Sequence, residues 1–324
     1  MKYFESFLAP DLEAYIRHRA AFGYKYRHLR SILRHVDRYA KSNFADWTSL
    51  TPTFFLEFKE SLHAQASTVN TVLSGVRGFF QFLVDKGCCK YNPLQDIPSL
   101  SVRLYIPFIF SQGEIDQLLS WIVKRNKDTY DSNLRNSGAY IAILLMARCG
   151  LRISEPLKLL LTHYRAKDGS IYISKSKFQS SRLVPVPRSV QSEIQNYLSF
   201  RDSLPGEDKN TYLLAGQGLR SLGCHHVYLV FRQAVKDMGI CEARCIAGNM
   251  TFGAPTPHSL RHSFAVNTLH VIKQKGKSTR KALPLLAAYM GHHHPSSTAR
   301  YLCVSDAEHR KKLQEVAMAF QWEV

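Results

Sequence analysis

The stretch CCKYNPLQDIPSLSVRLYIPFIF, residues 88–110, carries three prolines and no helical period. Proline removes a backbone donor and pushes the residue before it out of the helical region. No single helical body can run through such a stretch, so the chain divides there. The division predicts a helical domain over residues 1–97, a linker over 98–110 and a larger domain over 111–324. The 324 residues are enough for two such domains, each with its own core.

Ahead of the break, residues 10–87 read as about four helices. PDLEAYIRHRAAFG opens the first, with Pro10 at its start. In YRHLRSILRHVDRYAK, Leu29, Ile32, Leu33, Val36 and Ala40 form an apolar stripe at helical spacing. Arg27, Arg30, Arg34, Arg38 and Lys41 fall on another face. A cationic row of this kind suits DNA phosphates. It equally suits a solvated surface, so the pattern alone leaves both readings open. TPTFFLEFKESLH and STVNTVLSGVRGFFQFLVDKG supply two more helices.

Beyond the break, SQGE at 111–114 has the capping-box pattern and starts a helix. The apolar helix SGAYIAILLMARCG then stops at Gly150. IYISK (171–175) and RLVPVP (182–187) flank SKFQSS as the two strands of an antiparallel hairpin. Helices resume at 188–200, 219–238, 257–274 and 283–290, and the tail around 306–321 is amphipathic. The fold class is therefore mainly α with a small antiparallel β-sheet.

Net charge is +18, with +4 in residues 1–100 and +14 in the remainder. An excess this large points to a polyanion, most often nucleic acid. No apolar run approaches the roughly 18 residues of a membrane helix, and the N-terminus lacks an apolar signal core. The protein is expected in the cytoplasm, associated with the nucleoid. Seven cysteines without framework spacing read as reduced thiols. Cys224, His225, Cys241 and Cys245 contain no CxxC pair, so a zinc cluster is disfavoured.

Three patches bear on chemistry. In ARCGLRISEPLKL, Arg152 follows a helix-ending glycine, where an arginine can reach a cleft beside backbone amides. In TPHSLRHSFAVNTL, His258 and Arg261 share a helix face. His258 and His262 have the spacing of an HExxH metal helix, but position 259 is serine and the glutamate base is missing. An imidazole beside a guanidinium fits phosphate chemistry better. In GHHHPSSTARYL, Tyr301 lies nine residues after His292. A phenol, with a pKa near 10, is a poor nucleophile unless assisted.

Taken together and in this order, GLRISE, HSLRH and GH followed by Tyr301 resemble the tyrosine recombinases, the phage integrase family. The likeness covers nearly the whole chain. The run HSFAVNTL…LPLLAAYMGHHHPSSTARYL looks most like integrases of transposons and other mobile elements. The resemblance implies a SAM-like core-binding domain followed by a recombinase catalytic domain. It implies that Arg152 and Arg261 clamp the scissile phosphate. His258 would help to activate the tyrosine and bind the phosphate, and His292 would hydrogen-bond it. Tyr301 would attack, leaving a 3′-phosphotyrosyl link and a free 5′-hydroxyl. The family's general-acid lysine sits in the hairpin turn. Its usual five-residue gap to the arginine of the second strand selects Lys177, which precedes Arg182 by five, over Lys175. Glu155 would orient Arg152 or cap its helix, and His262 would support the site from behind. The interval from Arg261 to His292, carrying HVIKQKGKSTRKALP, is longer than in compact members.

The implied function is site-specific recombination of a mobile element: two domains clamped on duplex DNA, four subunits on two sites, alone or with other recombinases of the same element. No metal or nucleotide cofactor is implied. The rival is a DNA-binding accessory subunit on the same scaffold, which would form no covalent adduct. A topoisomerase-like relaxase would share the chemistry without synapsis.

Overall fold

The computed structural model describes residues 3–23, 26–125, 130–174, 181–204, 209–240, 242–291, 300–302 and 304–319. They fall into two units, Met1–Arg103 and Leu104–Val324.

The first unit is built on α1 (Ala9–Ala21), α2 (Tyr26–Ser42), α3 (Pro52–Ser61) and α4 (Ala66–Asp85). Along α4, Val69, Val72, Leu73, Val76, Phe79, Phe80 and Leu83 recur three and four apart, and all are buried. They meet Leu33 and Val36 of α2 and Phe55 and Phe58 of α3 in one core. Gly75 lets α2 come close to α4, since a Cβ there would lie 2.5 Å from Ile32 Cγ2. Past α4 the chain folds back on it. Arg77 donates to the carbonyls of Leu94 (3.0 Å) and Ile97 (2.8 Å), and Asn92 Nδ2 donates to the Arg77 carbonyl. Asp37, buried on α2, accepts from the amides of Glu5 and Ser6 and from the Ser6 hydroxyl, which fastens the N-terminal segment.

The second unit is arranged around α6 (Tyr130–Cys149), which packs against α5 (Gln112–Arg125), α7 (Arg188–Asp202), α8 (Cys224–Asp237) and α9 (Pro257–Gln274). Helix α5 starts at the expected capping box: the Ser111 amide donates to Glu114 Oε2 (2.7 Å) and the Glu114 amide to Ser111 Oγ (3.2 Å). The expected hairpin is present as β3 (Ser170–Ile173) and β4 (Arg182–Pro185), antiparallel with Ile171 opposite Val184, and β2 (Tyr164–Arg165) adds to its edge.

A second sheet was not anticipated. In it β1 (Leu104–Ile106) runs parallel to β6 (Met250–Phe252), and β6 pairs antiparallel with β5 (Cys245–Ala247). Residues 104–110 thus differ from the linker expected over 98–110. Strand β1 lies in this sheet, and Phe108, Ile109 and Phe110 are buried in the second unit. The burial of three consecutive-region aromatics and aliphatics outweighs the loss of one proline donor. Helix α10 (Thr279–Met290) packs on α9. The tail helix, α11 (Ala307–Ala319), rests on its own unit through Arg310. That buried guanidinium donates to the carbonyls of Pro107 and Gly253 (both 3.0 Å) and to Glu242 (2.9 Å), with its carbon 4.7 Å from the Phe108 ring centre. Among the described residues no helix is long and apolar enough to cross a membrane.

Gly150 ends α6 at φ +63°, and a Cβ there would lie 2.4 Å from Phe264 Cδ1 on α9. Both the left-handed backbone and the close helix contact require glycine. Gly150→Ala should therefore cost about 1–3 kcal/mol in urea unfolding. Gly113→Ala, in open space on α5, should not lower stability.

Candidate active site

The α6–α9 contact sets the site. Gly150 turns the chain so that Leu151 is buried and Arg152 begins a short helical turn. On α9, Thr256 and Ser259 form a capping box that fixes the first turn and the residues just after it. Arg261 and His262 follow on this turn and point into the protein, 1 % and 8 % exposed. His258, one turn earlier, is exposed.

Glu155 is the centre of the arrangement. It is buried, and three guanidiniums converge on it. Arg182, from the start of β4, binds it in bidentate fashion: Nη1 donates to Oε1 (3.0 Å) and Nη2 to Oε2 (2.9 Å). Arg152 donates through Nη1 to Oε1 (3.0 Å) and through its own amide to Oε2 (2.8 Å). Arg261 Nη1 lies 3.9 Å from Oε2. Backbone carbonyls complete the cage. Arg261 donates to Gly150 O (2.5 Å) and Met290 O (2.6 Å), Arg152 to Gly291 O (2.7 Å), and Arg182 Nε to Tyr289 O (2.9 Å). The end of α10 is thereby tied to the end of α6 and to β4.

The electrostatics follow from the count of charges. Three cations share one carboxylate, so the cluster carries surplus positive charge. Burial, then the charge of Arg152, lowers the Arg261 pKa to about 9; Glu155 and Tyr301 act in the opposite direction. Burial alone would raise the Glu155 pKa. The hydrogen bond and charge of Arg182, the Arg152 amide and the Arg261 charge together hold it below the ordinary value. Such a cluster has room electrostatically for an anion and gains from one.

Tyr301 is 4 % exposed, and its hydroxyl is 3.1 Å from His262 Nδ1. The ring of His262 also meets that of His258, centroids 4.6 Å apart. Of the residues expected from the sequence, Arg152 and Arg261 meet at Glu155, while His258 and Tyr301 both border His262. Lys177, its alternative Lys175, and His292 lie outside the described residues. Arg182 was used only to count back to the lysine, yet it is the strongest partner of Glu155. Its place at the start of a strand, among small polar residues, was the only available signal. Among the described residues no group of three His, Cys, Asp or Glu is placed to hold a metal ion.

In the first unit, the cationic row is exposed at Arg27, Arg34, Arg38 and Lys41 and half-buried at Arg30. Part of it is engaged locally. Arg30 pairs with Glu13 (2.9 Å), Lys41 pairs with Glu5, and the guanidiniums of Arg30 and Arg34 lie over the Tyr3 ring.

Because the Glu155 carboxyl titrates lower when folded, its contribution to stability is full above the unfolded value, near 4.5, and disappears as pH falls through the folded value. Glu155→Gln should cost about 3–5 kcal/mol at neutral pH. It should also flatten the loss of stability below pH 4.5, as followed by urea unfolding across an acid series.

Comparison with known proteins places this geometry. Residues 110–308 match the model of the phage integrase family, and residues 10–87 match that of the phage integrase N-terminal SAM-like domain. The integrase/recombinase y4rE of Sinorhizobium fredii is 28 % identical over 303 residues, covering 93 % of each chain. Tyrosine recombinase XerD of Brucella suis is 29 % identical over 245 residues, covering 75 % of this chain and 74 % of its own. Among solved structures, the Tn1549 transposon integrase with transposon right-end DNA has a TM-score of 0.65 at 16 % identity, covering 94 % of this chain and 98 % of that one. The lambda integrase dimer on a COC′ core site has a TM-score of 0.63 at 16 % identity, covering 93 % and 77 %. These two show a shared fold, and the family match over most of the second unit shows descent: the chain belongs to the phage integrase family, the tyrosine recombinases.

Proposed function

We propose that this protein cuts and rejoins duplex DNA at specific sites through a 3′-phosphotyrosyl intermediate, with Tyr301 as nucleophile. The observation that carries the reading is the set of three guanidiniums gathered on Glu155, one of which, Arg261, sits on the helix whose His262 contacts Tyr301. A phosphodiester undergoing attack gains negative charge on its non-bridging oxygens. Arg152 and Arg261 are held by carbonyls and a carboxylate before any DNA arrives. Charge placed in advance stabilises the pentavalent transition state without reorganisation.

In this reading His258, exposed on the first turn of α9, contributes to phosphate binding. His292 donates a further hydrogen bond. Lys177 protonates the leaving 5′-oxygen. A tyrosyl phosphate conserves the energy of the broken bond, so resealing needs no nucleotide. The SAM-like unit adds backbone contacts through Arg27, Arg30, Arg34, Arg38 and Lys41. Solved relatives in complex with DNA support a duplex partner. Four subunits on two sites, and action on a mobile element with or without companion recombinases, extend the same reading. So does a cytoplasmic, nucleoid-associated location.

The test begins with duplexes enriched from a randomised pool by binding to the full chain, then nicked so that cleavage cannot be reversed. Wild type should give a covalent protein–DNA band on a denaturing gel without added metal, and Tyr301→Phe should give none. Binding with no covalent band from wild type would favour the accessory subunit. Arg152→Ala should slow adduct formation about 10²–10³-fold, the scale of losing one preorganised donor. Affinity should fall steeply with salt, and Arg27→Ala with Arg38→Ala should make the log–log slope shallower by about 2.

A further inference from the structure

We propose that Arg182 is a positioning residue for cleavage: it orients the Glu155 carboxylate and the end of α10 together, and through them holds Arg152 ready for the scissile phosphate. The inference rests on the reading of the guanidinium cluster as a phosphate clamp and deepens it.

The hydrogen bonds give Arg182 and Arg152 different work. Each of the three nitrogens of the Arg182 guanidinium has a protein acceptor. Nη1 and Nη2 donate to the two oxygens of Glu155, at 3.0 and 2.9 Å, and Nε donates to the Tyr289 carbonyl, at 2.9 Å. Its side chain is 11 % exposed. Arg152 gives Nη1 to Glu155 and Nη2 to the Gly291 carbonyl, and its side chain is 18 % exposed. A guanidinium has five N–H groups, so among the described residues Arg152 keeps donors for an anion. Arg182 holds, and Arg152 presents.

The carboxylate shows how the holding works. An ionised carboxylate offers about four acceptor sites. Arg182 takes one on each oxygen, and Arg152 takes the other two through Nη1 and its own amide. The two parallel bonds from Arg182 set the plane of the carboxylate. With that plane fixed, the acceptors left for Arg152 point one way. Without it the carboxylate turns about its last bond, and Arg152 loses a fixed partner.

The end of α10 is held by the same set. Three successive carbonyls, of Tyr289, Met290 and Gly291, accept from Arg182, Arg261 and Arg152 in turn. The Arg182 guanidinium also lies against Gly291. A Cβ there would be 2.9 Å from Arg182 Nη1 and 3.2 Å from its Cζ, on a backbone already left-handed at φ +65°.

Glu155 is faced by Arg152 from its own turn, Arg182 from β4 and Arg261 from α9. Burial pushes its carboxyl up, and the hydrogen bond and charge of Arg182 lead the opposing effects. Loss of Arg182 therefore lets Glu155 take a proton at higher pH, and the proton removes an acceptor from Arg152.

The experiment measures single-turnover adduct formation on the enriched nicked duplex as a function of pH, with duplex affinity alongside. Arg182→Lys keeps the charge and loses the paired bonds. It should slow cleavage about 10- to 100-fold, the scale of a small misplacement at the reacting centre, with affinity unchanged. Arg182→Met should be slower still, and the acid side of its rate–pH profile should move to higher pH. A second substrate carries sulfur in place of the leaving 5′-oxygen. A thiolate, from a thiol of pKa near 8.5, departs without a proton, so this substrate reports on the clamp and not on proton delivery. Both variants should be slowed on it by the same factor as on the oxygen substrate. A wild-type rate in Arg182→Lys would overturn the role. So would a sulfur substrate that escapes the defect, which would assign Arg182 to proton delivery, or an acid side unmoved in Arg182→Met. Weaker duplex binding that accounts for the slower rate would make Arg182 a DNA contact and overturn it too. Should Arg182→Met not fold, as urea unfolding would show, Arg182→Lys on the two substrates decides alone. If wild type forms no adduct that depends on Tyr301, the recombinase reading itself fails; a failure confined to the Arg182 variants leaves that reading standing.

Discussion

The buried carboxylate of Glu155 is what the catalytic unit is assembled around. Three guanidiniums placed this close would repel one another and strand their charge in a low dielectric. One carboxylate accepting from Arg182, Arg152 and the Arg152 amide makes the cluster tolerable, and the carbonyls at the ends of α6 and α10 accept four further guanidinium hydrogen bonds. The compensation is incomplete by design of the charge count. Two more cations than anions remain, and only an anionic ligand completes the balance. A cluster that is fully satisfied internally would be a structural ion pair. This one is a structural ion pair with capacity left over.

The same contacts explain how distant segments meet. Residues 150–155, 182, 258–262 and 289–291 are far apart in the chain, and each reaches the site from the end of a regular element. Gly150 closes α6, Arg182 opens β4, the capped first turns of α9 carry His258 and Arg261, and Gly291 follows α10. Regular elements hold their ends rigidly, so side chains there are placed with little freedom to wander.

Much of this was legible in the sequence. The stripe in α2 and the apolar spacing of α4 are long enough for periodicity to speak. The Ser111–Glu114 box has a mechanism as well as a pattern, and the hairpin strands alternate. The sheet of β1, β6 and β5 escaped notice because its strands are three residues each, too short for a period, and because β1 sits among prolines. Its formation depends on a pairing between residues 104 and 250, which no local pattern encodes. Within the site, Arg152, His258, Arg261 and Tyr301 stood out through spacing and family likeness. Arg182 did not, since a lone arginine at a strand start looks the same whether it faces water or a buried carboxylate. His262 was read as support, and only the fold reveals that its ring turns toward Tyr301. The engagement of Arg30 and Lys41 by Glu13 and Glu5 was equally hidden, because it depends on how α1 and the N-terminal segment lie against α2.

The buried Arg310 has a consequence for Tyr301. On one side, Gly291 is held by its carbonyl to Arg152. On the other, Arg310 is locked between two backbone carbonyls, Glu242 and an aromatic ring. Tyr301 lies between these moorings. The phenol is buried between them, with its hydroxyl 3.1 Å from His262 Nδ1, and so is placed before any ligand binds. Lifting α11 away would strip Leu313 and Ala317 from the cluster that buries Tyr301 and leave a guanidinium without its partners, so the tail helix and the placing of the phenol are thermodynamically coupled.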